Sequence, residues 1–459
     1  MGKTNTIAAI ATPLAPSGIG IIRISGEDAL AVADRIFTPA KTKQSVFKMQ
    51  THTIHYGYIC DGETVIDEVL LLVMRGPHTY TCEDTIEIDT HGGILVMRRI
   101  LDLVLRSGAR LAEPGEYTKR AFLNGRMDLT QAEAVIDVIN AKNENALRCS
   151  VSQLRGSIHE KITDLRARLL HEIAFIEAAL DDPEHYSLDG YEKTLETVLN
   201  GVDAELAHLL KKAEDGRIVR DGIRTVIAGK PNAGKSSFLN YLLGEERAIV
   251  TDIAGTTRDI LTEQIQVDGI GLQIVDTAGI RPTDDPIEQI GVARTREEIR
   301  NADLVLYIVD ASTKLDENDY EILESIRDKK AIVLLNKSDL PMQTDVDTLR
   351  VLTGAQILVT SMTQETGLDD FADLLKQMFF DGELAFHDEV YITNARQKEA
   401  LQSAKDDIAY VLDGIRTGVP IDLLPVDLMG AYEALGSIIG EALGDDLADK
   451  IFAEFCMGK

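Results

Sequence analysis

The chain has 459 residues, of which 44% are hydrophobic and 27% are charged, and its formal net charge at pH 7 is −29. This length exceeds what one ordinary hydrophobic core supports, so about two to four domains are expected. No apolar run is long enough to span a bilayer. The negative charge argues against a protein that only coats nucleic acid, because phosphate contacts need clustered Lys and Arg, but it leaves open a local basic patch or RNA delivered with help from a partner.

The first residues and the cysteines indicate a cytoplasmic protein. The apolar segment from Thr6 to Thr12 is short and lacks the strongly basic leader of a signal peptide. The cysteines are scattered without zinc-ligand spacing, which favours reduced thiols over a disulfide framework. They are Cys60, Cys82, Cys149 and Cys456.

Residues 1–120 predict an α+β domain. Short alternating patterns typical of strands occur from Gly20 to Ser25, from Val65 to Met74 and from Thr85 to Asp89. An amphipathic helix is expected from about Ile94 to Leu105.

Residues 121–218 predict long helices. Apolar residues recur at helical spacing from Leu129 to Ile139 and from Leu165 to Leu180, and Asp182 and Pro183 then break the pattern. Residues 383–459 are helical again, with a break from Thr417 to Pro420. We expect these two separated segments to close into one all-α helical bundle.

Residues 219–382 predict an α/β domain inserted between the two helical segments. Buried strands are expected from Thr225 to Ala228, Leu304 to Val309, Ala331 to Leu335 and Ile357 to Thr360, and helical patterns separate them. Such alternation is typical of a parallel sheet.

A phosphate loop follows the first of these strands. The segment from Gly229 to Ser236 reads GKPNAGKS and leads into a helical pattern from Ser237 to Leu243. Backbone N–H groups of such a loop face the phosphates, Lys235 reaches the β- and γ-phosphates, and the Ser236 hydroxyl ligates Mg²⁺. The alternative is a glycine-rich connector without a ligand.

Two further motifs follow in the order that a nucleotide site requires. Asp276 ends a strand and precedes Thr277, Ala278 and Gly279, so its carboxylate suits the Mg²⁺ shell and the Gly279 N–H suits the γ-phosphate. Taken alone, this tetrapeptide is more often an ordinary turn.

The third motif is Asn336-Lys-Ser-Asp339, at the end of the strand that begins at Ala331. The Asp339 carboxylate can accept hydrogen bonds from guanine N1–H and the exocyclic amine. Adenine lacks this donor pair, so Asp339 selects GTP over ATP. A solvated helix N-cap is the alternative for this tetrapeptide alone, but three motifs in one α/β domain favour the nucleotide site.

Together the motifs resemble the translation-factor-like class of P-loop GTPases. Two departures stand out: Ser361-Met-Thr363 replaces the usual Ser-Ala-Lys, and Ile280 occupies the place of the glutamine that orients water in Ras-like members. The GTP site is expected at Asn232, Ala233, Gly234, Lys235, Ser236, Ser237, Thr251, Asp252, Ile253, Ala254, Gly255, Thr256, Thr257, Asp276, Thr277, Ala278, Gly279, Asn336, Lys337 and Asp339.

Hydrolysis without that glutamine needs another device. Asn232 and the segment from Thr251 to Asp259 supply amide, hydroxyl and carbonyl oxygens that suit a hard monovalent cation beside the β- and γ-phosphates. Glu288 is a candidate for positioning the attacking water. The alternatives are a turn residue at Asn232, a switch that supplies one Mg²⁺ ligand, and a surface carboxylate at Glu288 in the first turn of a helix.

Motifs at both ends of the chain resemble the MnmE (TrmE) family of tRNA-modification GTPases. The N-terminal ones are Ala11-Thr-Pro13, the segment from Gly18 to Gly26, His91-Gly-Gly93 and the segment from Pro114 to Glu133. The C-terminal one, Phe455-Cys-Met-Gly-Lys459, is similar to the family's Cys-x-Gly-Lys ending.

This resemblance implies specific ligands in the GTPase domain. It assigns K⁺ to Asn232, Thr251, Ile253 and Thr256, it assigns Mg²⁺ to Ser236 and Thr257, and it makes Glu288 the residue that orients water. Potassium-dependent hydrolysis is then activated when two GTPase domains meet.

The resemblance also implies a one-carbon tetrahydrofolate site, with residues 1–120 as a folate-binding and dimerisation domain. The matching positions are Arg23, Glu83, Arg126 and Lys459, whose cations suit the glutamate carboxylates of folate. Arg126 stands where a family lysine is expected, and Cys82 where a glycine is.

The resemblance implies partners and a reaction as well. The protein would be a homodimer and form a heterotetramer with the FAD-containing protein MnmG. With a tRNA substrate, the pair would install an aminomethyl or carboxymethylaminomethyl group at C5 of wobble uridine 34. Cys456 suggests a nucleophile for uridine C6, or alternatively a small buried thiol that anchors the tail.

Two other function classes remain open at this point. A ribosome-assembly GTPase switch of the Era-like type would be expected to carry a basic RNA-binding module, whereas the segment after Gly382 is acidic and helical. A structural helical scaffold with a degenerate GTPase domain is disfavoured by Lys235, Ser236, Asp276 and Asp339, which are all intact.

Overall fold

A computed structural model describes residues 5–41, 44–244, 262–275, 297–380, 392–441, 451–453, 455 and 458. The chain divides into two compact units. The first contains Met1–Ile136, Leu154–Leu170 and Tyr432–Lys459, and the second contains Asp137–Gln153 and His171–Ala431.

A mostly antiparallel sheet forms the centre of the first unit. Its strands are β1 (Ile7–Ile10), β2 (Ser17–Ser25), β3 (Phe37–Pro39), β4 (Thr53–Asp61), β5 (Thr64–Met74), β6 (Thr85–Gly92) and β7 (Arg110–Leu111). They lie in the order β3-β4-β5-β6-β2-β1-β7. The pairs are antiparallel except β1 with β7.

Two helices cover one face of this sheet, α1 (Ala29–Ile36) and α2 (Ile94–Arg106). Alternate strand residues such as Ile22, Ile24, Leu71 and Ile88 pack against the apolar side of these helices. Strand alternation and helical spacing therefore meet in one core, as the sequence pattern predicts.

The first unit also holds α3 (Glu116–Leu123), most of α4 (Leu129–Asn140) and the chain end. Phe452 and Phe455 pack against Ala121, Met127, Leu129 and other apolar residues of these helices. Gly115 has φ +67, and a Cβ there would lie 2.4 Å from the carbonyl oxygen of Phe452. Glycine is therefore required for this close approach.

The α/β sheet of the second unit positions the phosphate loop. Its strands are β8 (Ile223–Gly229), β9 (Thr262–Val267), β10 (Ile270–Val275), β11 (Leu304–Asp310), β12 (Ala331–Asn336) and β13 (Gln356–Val359), in the order β13-β12-β11-β8-β10-β9. Only the β9–β10 pair is antiparallel among these described strands. Every residue of β12 is buried, as expected for a parallel strand covered on both faces.

Helices cover both faces of this sheet. On one face lie α8 (Lys235–Gly244) and α11 (Phe371–Phe379), which contribute Phe238, Phe371 and Leu375 to the core. On the other face, Leu323 of α9 (Glu317–Ser325) and Leu349 of α10 (Val346–Thr353) pack on β11 and β12.

Further helices within the described ranges are α5 (Glu144–Leu154), α6 (Ser157–Asp181), α7 (Tyr191–Asp221), α12 (Ala395–Thr417) and α13 (Leu424–Ile439). Helix α7 packs along α12, and Nζ of Lys405 lies 3.0 Å from Oδ1 of Asp203 across this contact. The two separated helical segments therefore pack together, as predicted.

The predicted fold class is confirmed: an N-terminal α+β domain, a helical domain from two segments and an inserted α/β domain. One local boundary differs, because α8 begins at Lys235 rather than Ser237. This helix follows the turn after β8 directly, where sequence periodicity gives no boundary. The predicted domain boundary after residue 218 lies within the last turn of α7, which ends at Asp221. Within the described ranges, no helix is both long and apolar enough to cross a membrane.

Candidate functional site

The phosphate loop joins the end of β8 to the start of α8. Left-handed backbone occurs at Asn232, with φ +61, and at Gly234, with φ +115. A Cβ at Gly234 would lie 2.2 Å from Nδ2 of Asn336. The loop therefore keeps its shape only with glycine at position 234, and it forms the backbone cradle that a phosphate needs.

Lys235 reaches back over this loop. Its Nζ donates hydrogen bonds to the carbonyl oxygens of Gly229 at 2.6 Å and of Lys230 at 2.7 Å. Burial lowers the pKa of Lys235, because desolvation disfavours the charged form. A phosphate anion beside it would favour the ammonium form, so the described residues fit a bound nucleotide.

Asn336, the last residue of β12, connects the phosphate loop to the segment that contains Met362. This residue is 2% exposed. Nδ2 donates to the carbonyl oxygen of Ala233 at 2.8 Å, and Oδ1 accepts from the N–H of Met362 at 3.1 Å. One buried amide therefore fixes the relative positions of three loops that meet at the carboxyl ends of parallel strands.

Ser361 and Lys337 each pair with an acidic side chain near the carboxyl ends of these strands. The Ser361 hydroxyl donates to Oδ1 of Asp339 at 2.6 Å. Nζ of Lys337 lies 2.6 Å from Oδ2 of Asp310. Burial raises the pKa of Asp310, but the hydrogen bonds from Lys337 and Ser312 outweigh burial, so its pKa lies below the ordinary value. In place of the usual Ser-Ala-Lys motif, the serine of Ser361-Met-Thr363 orients the acid.

The structure brings together one part of the predicted GTP site. This part contains Asn232, Ala233, Gly234, Lys235, Ser236, Ser237, Asn336, Lys337 and Asp339. The other predicted positions lie outside the described residues. They are Thr251, Asp252, Ile253, Ala254, Gly255, Thr256, Thr257, Asp276, Thr277, Ala278, Gly279 and Glu288, together with Cys456 and Lys459 at the chain end.

A second polar cluster lies in the first unit, around Arg23 on β2. Nε of Arg23 is 2.7 Å from Oε1 of Glu87, and Nη1 donates to the carbonyl oxygen of Gly458 at 2.9 Å. A Cβ at Gly458 would lie 2.7 Å from the carbonyl oxygen of Ile10. The described part of the tail is therefore held against β1 and β2, next to the predicted folate residue Arg23.

The ring of Tyr80 lies near two of the predicted folate residues. Its centroid is 5.9 Å from the Arg23 guanidinium carbon and 4.7 Å from that of Arg126. Arg126 is exposed and donates to the carbonyl oxygen of Tyr80 at 3.3 Å. These cations fit an anionic ligand, because they lie beside one aromatic ring and Arg126 is accessible.

Glu83 belongs to a partly buried ion-pair network. Its carboxylate accepts hydrogen bonds from Nη1 of Arg120 at 2.9 and 3.1 Å and from the Ser25 hydroxyl at 2.9 Å. Nη2 of Arg120 lies 2.9 Å from Oε1 of Glu116. Arg120 is 7% exposed, so this pairing holds Glu83 in a fixed orientation.

Two family models match almost the whole chain. The model of the GTP-binding protein TrmE N-terminus matches residues 6–126, and the model of the MnmE helical domain matches residues 129–456. The chain belongs to the MnmE family of tRNA-modification GTPases. The assignment made from motifs at the two ends of the sequence is confirmed.

Relatives in this family match along the full length. A protein of Lachnoclostridium phytofermentans named tRNA modification GTPase MnmE is 52% identical, and the alignment covers 100% of each chain. A protein of the same name from Enterococcus faecalis is 45% identical over 99% of this chain and 98% of the relative. The G domain of the T. maritima FeoB iron transporter aligns at 23% identity with a TM-score of 0.26, over 35% of this chain and 98% of that chain.

Sequence reasoning missed several residues that organise the two clusters. Arg120 and Tyr80 in the N-terminal domain, and Asp310 in the α/β domain, were not singled out. Arg120 lies inside the MnmE-like segment from Pro114 to Glu133, so the motif contained a signal. Asp310 is the last residue of the buried strand β11, and this is where polar site residues of parallel sheets collect.

Proposed function

We propose that this MnmE-family protein hydrolyses GTP as part of a system that modifies tRNA at C5 of wobble uridine 34. The added group would be an aminomethyl or carboxymethylaminomethyl group. The observation that carries the proposal is the buried Asn336 amide, which joins the phosphate loop at Ala233 to the segment that holds Asp339. A degenerate nucleotide site would not need this connection.

The nucleotide site works by position and charge. Backbone N–H groups of the loop and of the first turn of α8 receive the phosphates, while Lys235 supplies a positive charge within the cradle. Ser236, with Thr257, would hold Mg²⁺, which screens the charge that develops during phosphoryl transfer. Asp339, oriented by Ser361, would accept the two guanine donors.

The activating cation in this proposal is K⁺, bound by Asn232, Thr251, Ile253 and Thr256. Asn232 has left-handed backbone in the phosphate loop, a conformation that asparagine tolerates better than most residues. A cation there would take the place of an arginine finger, and Glu288 would orient the attacking water. Meeting of two GTPase domains in a homodimer would complete this arrangement.

We assign the N-terminal cluster to a one-carbon tetrahydrofolate derivative. Arg23, Arg126 and Lys459 would bind its carboxylates, and Glu83, fixed by Arg120, would accept hydrogen bonds from the pterin. The bound folate would supply the one-carbon unit of the reaction. Cys456 would act in this reaction as a nucleophile for uridine C6, or alternatively as a small thiol that anchors the tail.

The remaining chemistry requires partners. The proposal includes an FAD-containing partner, MnmG, in a heterotetramer, and a tRNA substrate in the cytoplasm. An Era-like switch would also hydrolyse GTP, but it would not alter wobble uridine.

The test is GTP hydrolysis in KCl and in NaCl at equal ionic strength. We expect a rate that rises steeply only with K⁺ and collapses in Glu288→Ala. The exposed Glu297 provides a control, because Glu297→Ala removes the same charge from the following segment and should leave the rate unchanged. Equal rates in both salts would refute the cation assignment, and no turnover in either salt would refute the GTPase.

A further inference from the structure

The second residue of the phosphate loop, Lys230, makes ion pairs outside the nucleotide cradle. Its Nζ lies 2.7 Å from Oδ2 of Asp316 and 2.5 Å from Oδ2 of Asp319. Both acids are at the start of α9, more than 80 residues further along the chain. The loop is therefore attached to α9, which lies on the face of the sheet opposite α8.

The two acids belong to a capping box. Asp316 accepts a hydrogen bond from the N–H of Asp319 at 3.2 Å, and Asp319 accepts one from the N–H of Asp316 at 2.9 Å. This arrangement places two carboxylates side by side, where they repel each other. The ammonium of Lys230 lies between them and neutralises that repulsion.

Tyr307 connects the same acids to the sheet. Its hydroxyl donates to Oδ1 of Asp319 at 2.7 Å. Tyr307 is on β11, directly opposite Ala228 of β8, the strand that leads into the phosphate loop. Tyr307 is 0% exposed and Asp319 is 4% exposed, so the carboxylate of Asp319 needs both a hydrogen-bond donor and a counter-charge.

The ion pairs shift the pKa values of Lys230 and Asp316. Burial lowers the pKa of Lys230, but the hydrogen bonds to Asp316 and Asp319 outweigh burial and leave the pKa above its ordinary value. The hydrogen bond from Lys230 lowers the pKa of Asp316. At neutral pH Lys230 and Asp316 are therefore both charged.

Lys230 also touches the site through its main chain. Its carbonyl oxygen accepts from Nζ of Lys235 at 2.7 Å. The side chain of Lys230 is thus anchored to α9, while its own carbonyl oxygen holds the ammonium of Lys235. Movement of Lys230 would displace that carbonyl and change the position of the Lys235 ammonium.

We propose that Lys230, Asp316, Asp319 and Tyr307 form a positioning network that holds the phosphate loop in its nucleotide-binding shape. This inference rests on the proposed GTP site and adds its supporting residues. Lys230 acts through Lys235 and the loop backbone, without touching the phosphates. Supporting contacts of this kind fix the geometry of a binding site when the site residues lie on a loop.

The test measures the dissociation constant for binding of a fluorescent GTP analogue to the full-length chain. We expect Lys230→Met to raise this constant about 5- to 10-fold, the range typical for coupled neighbouring residues. Lys230→Arg keeps the cation and should bind within about 2-fold of wild type. The control is Lys314→Met, the same substitution at an exposed lysine just before α9. This variant should have the dissociation constant of the wild type.

A double-mutant cycle separates positioning from general stability. Lys230→Met and Asp319→Asn are combined, and the double variant should lose less affinity than the product of the two single losses, because both remove the same contact. Thermal unfolding without nucleotide is measured in parallel. Full affinity in Lys230→Met, whatever its melting temperature, would overturn the network, as would failure of Lys230→Arg to restore binding. Wild-type protein that binds no GTP would instead refute the GTP site itself.

Discussion

Replacement of Gly234 by alanine tests the geometry of the phosphate loop. The new Cβ would lie 2.2 Å from Nδ2 of Asn336, which is more than about 1 Å closer than an ordinary contact allows. Asn336 would have to move away, and its hydrogen bond to the carbonyl of Ala233 would be lost. The backbone φ of +115 would also be strained with alanine.

The size of the effect follows from two terms. An unpaired buried polar group costs about 1–3 kcal/mol, and a left-handed conformation of this kind costs about 1–3 kcal/mol for a residue with a side chain. Even the lower sum is about 2 kcal/mol. If this cost is taken from the free energy of GTP binding, it corresponds to roughly a 30-fold loss of affinity. We therefore expect Gly234→Ala to weaken GTP binding at least that much.

The assay is titration of a fluorescent guanine nucleotide, with circular dichroism to establish that the variant is folded. Gly201→Ala provides the control, because Gly201 lies inside α7 and a Cβ there meets nothing within 4 Å. That change should leave GTP affinity unaltered and stabilise the helix by about 0.5–1 kcal/mol. Binding by folded Gly234→Ala within about 3-fold of wild type would contradict the account.

Three more results are expected. Asp339→Asn should weaken GTP and admit xanthosine nucleotides, since the guanine amine pair loses its acceptor; unchanged GTP affinity would show that the base is read elsewhere. Because the folded-state pKa of Asp310 is depressed, its pairing with Lys337 stabilises the fold above the ordinary Asp pKa of about 4 and is lost as pH falls further. The melting temperatures of wild type and Asp310→Asn should therefore differ most near pH 7 and converge in acid, whereas a gap independent of pH would argue against the pairing. Deletion of Lys459 should impair folate binding measured by calorimetry and spare GTP turnover; equal folate affinity would remove Lys459 from the site.

Local patterns carried most of the fold prediction. The strands β8, β11 and β12 are continuous apolar runs, and the phosphate loop has its own residue signature, so both can be read within short windows of sequence. Helix boundaries were less exact, as α8 shows by starting at Lys235.

Contacts between distant residues could not be predicted in the same way. Asn336 forms a hydrogen bond with Ala233, and Lys230 forms an ion pair with Asp319. Both contacts arise because β8, β11 and β12 are neighbours in the sheet. Neither pair has a spacing or a motif that reveals it. The Arg120–Glu83 pair likewise depends on how α3 packs in the N-terminal domain.

Nucleoside analysis of tRNA tests the central claim most directly. A strain that lacks the gene would be complemented with wild type or with Lys235→Ala, and the modified wobble uridine would be measured by mass spectrometry. The account predicts loss of the modification in the deletion strain, restoration by wild type and no restoration by Lys235→Ala. A normal nucleoside profile in the deletion strain would contradict it.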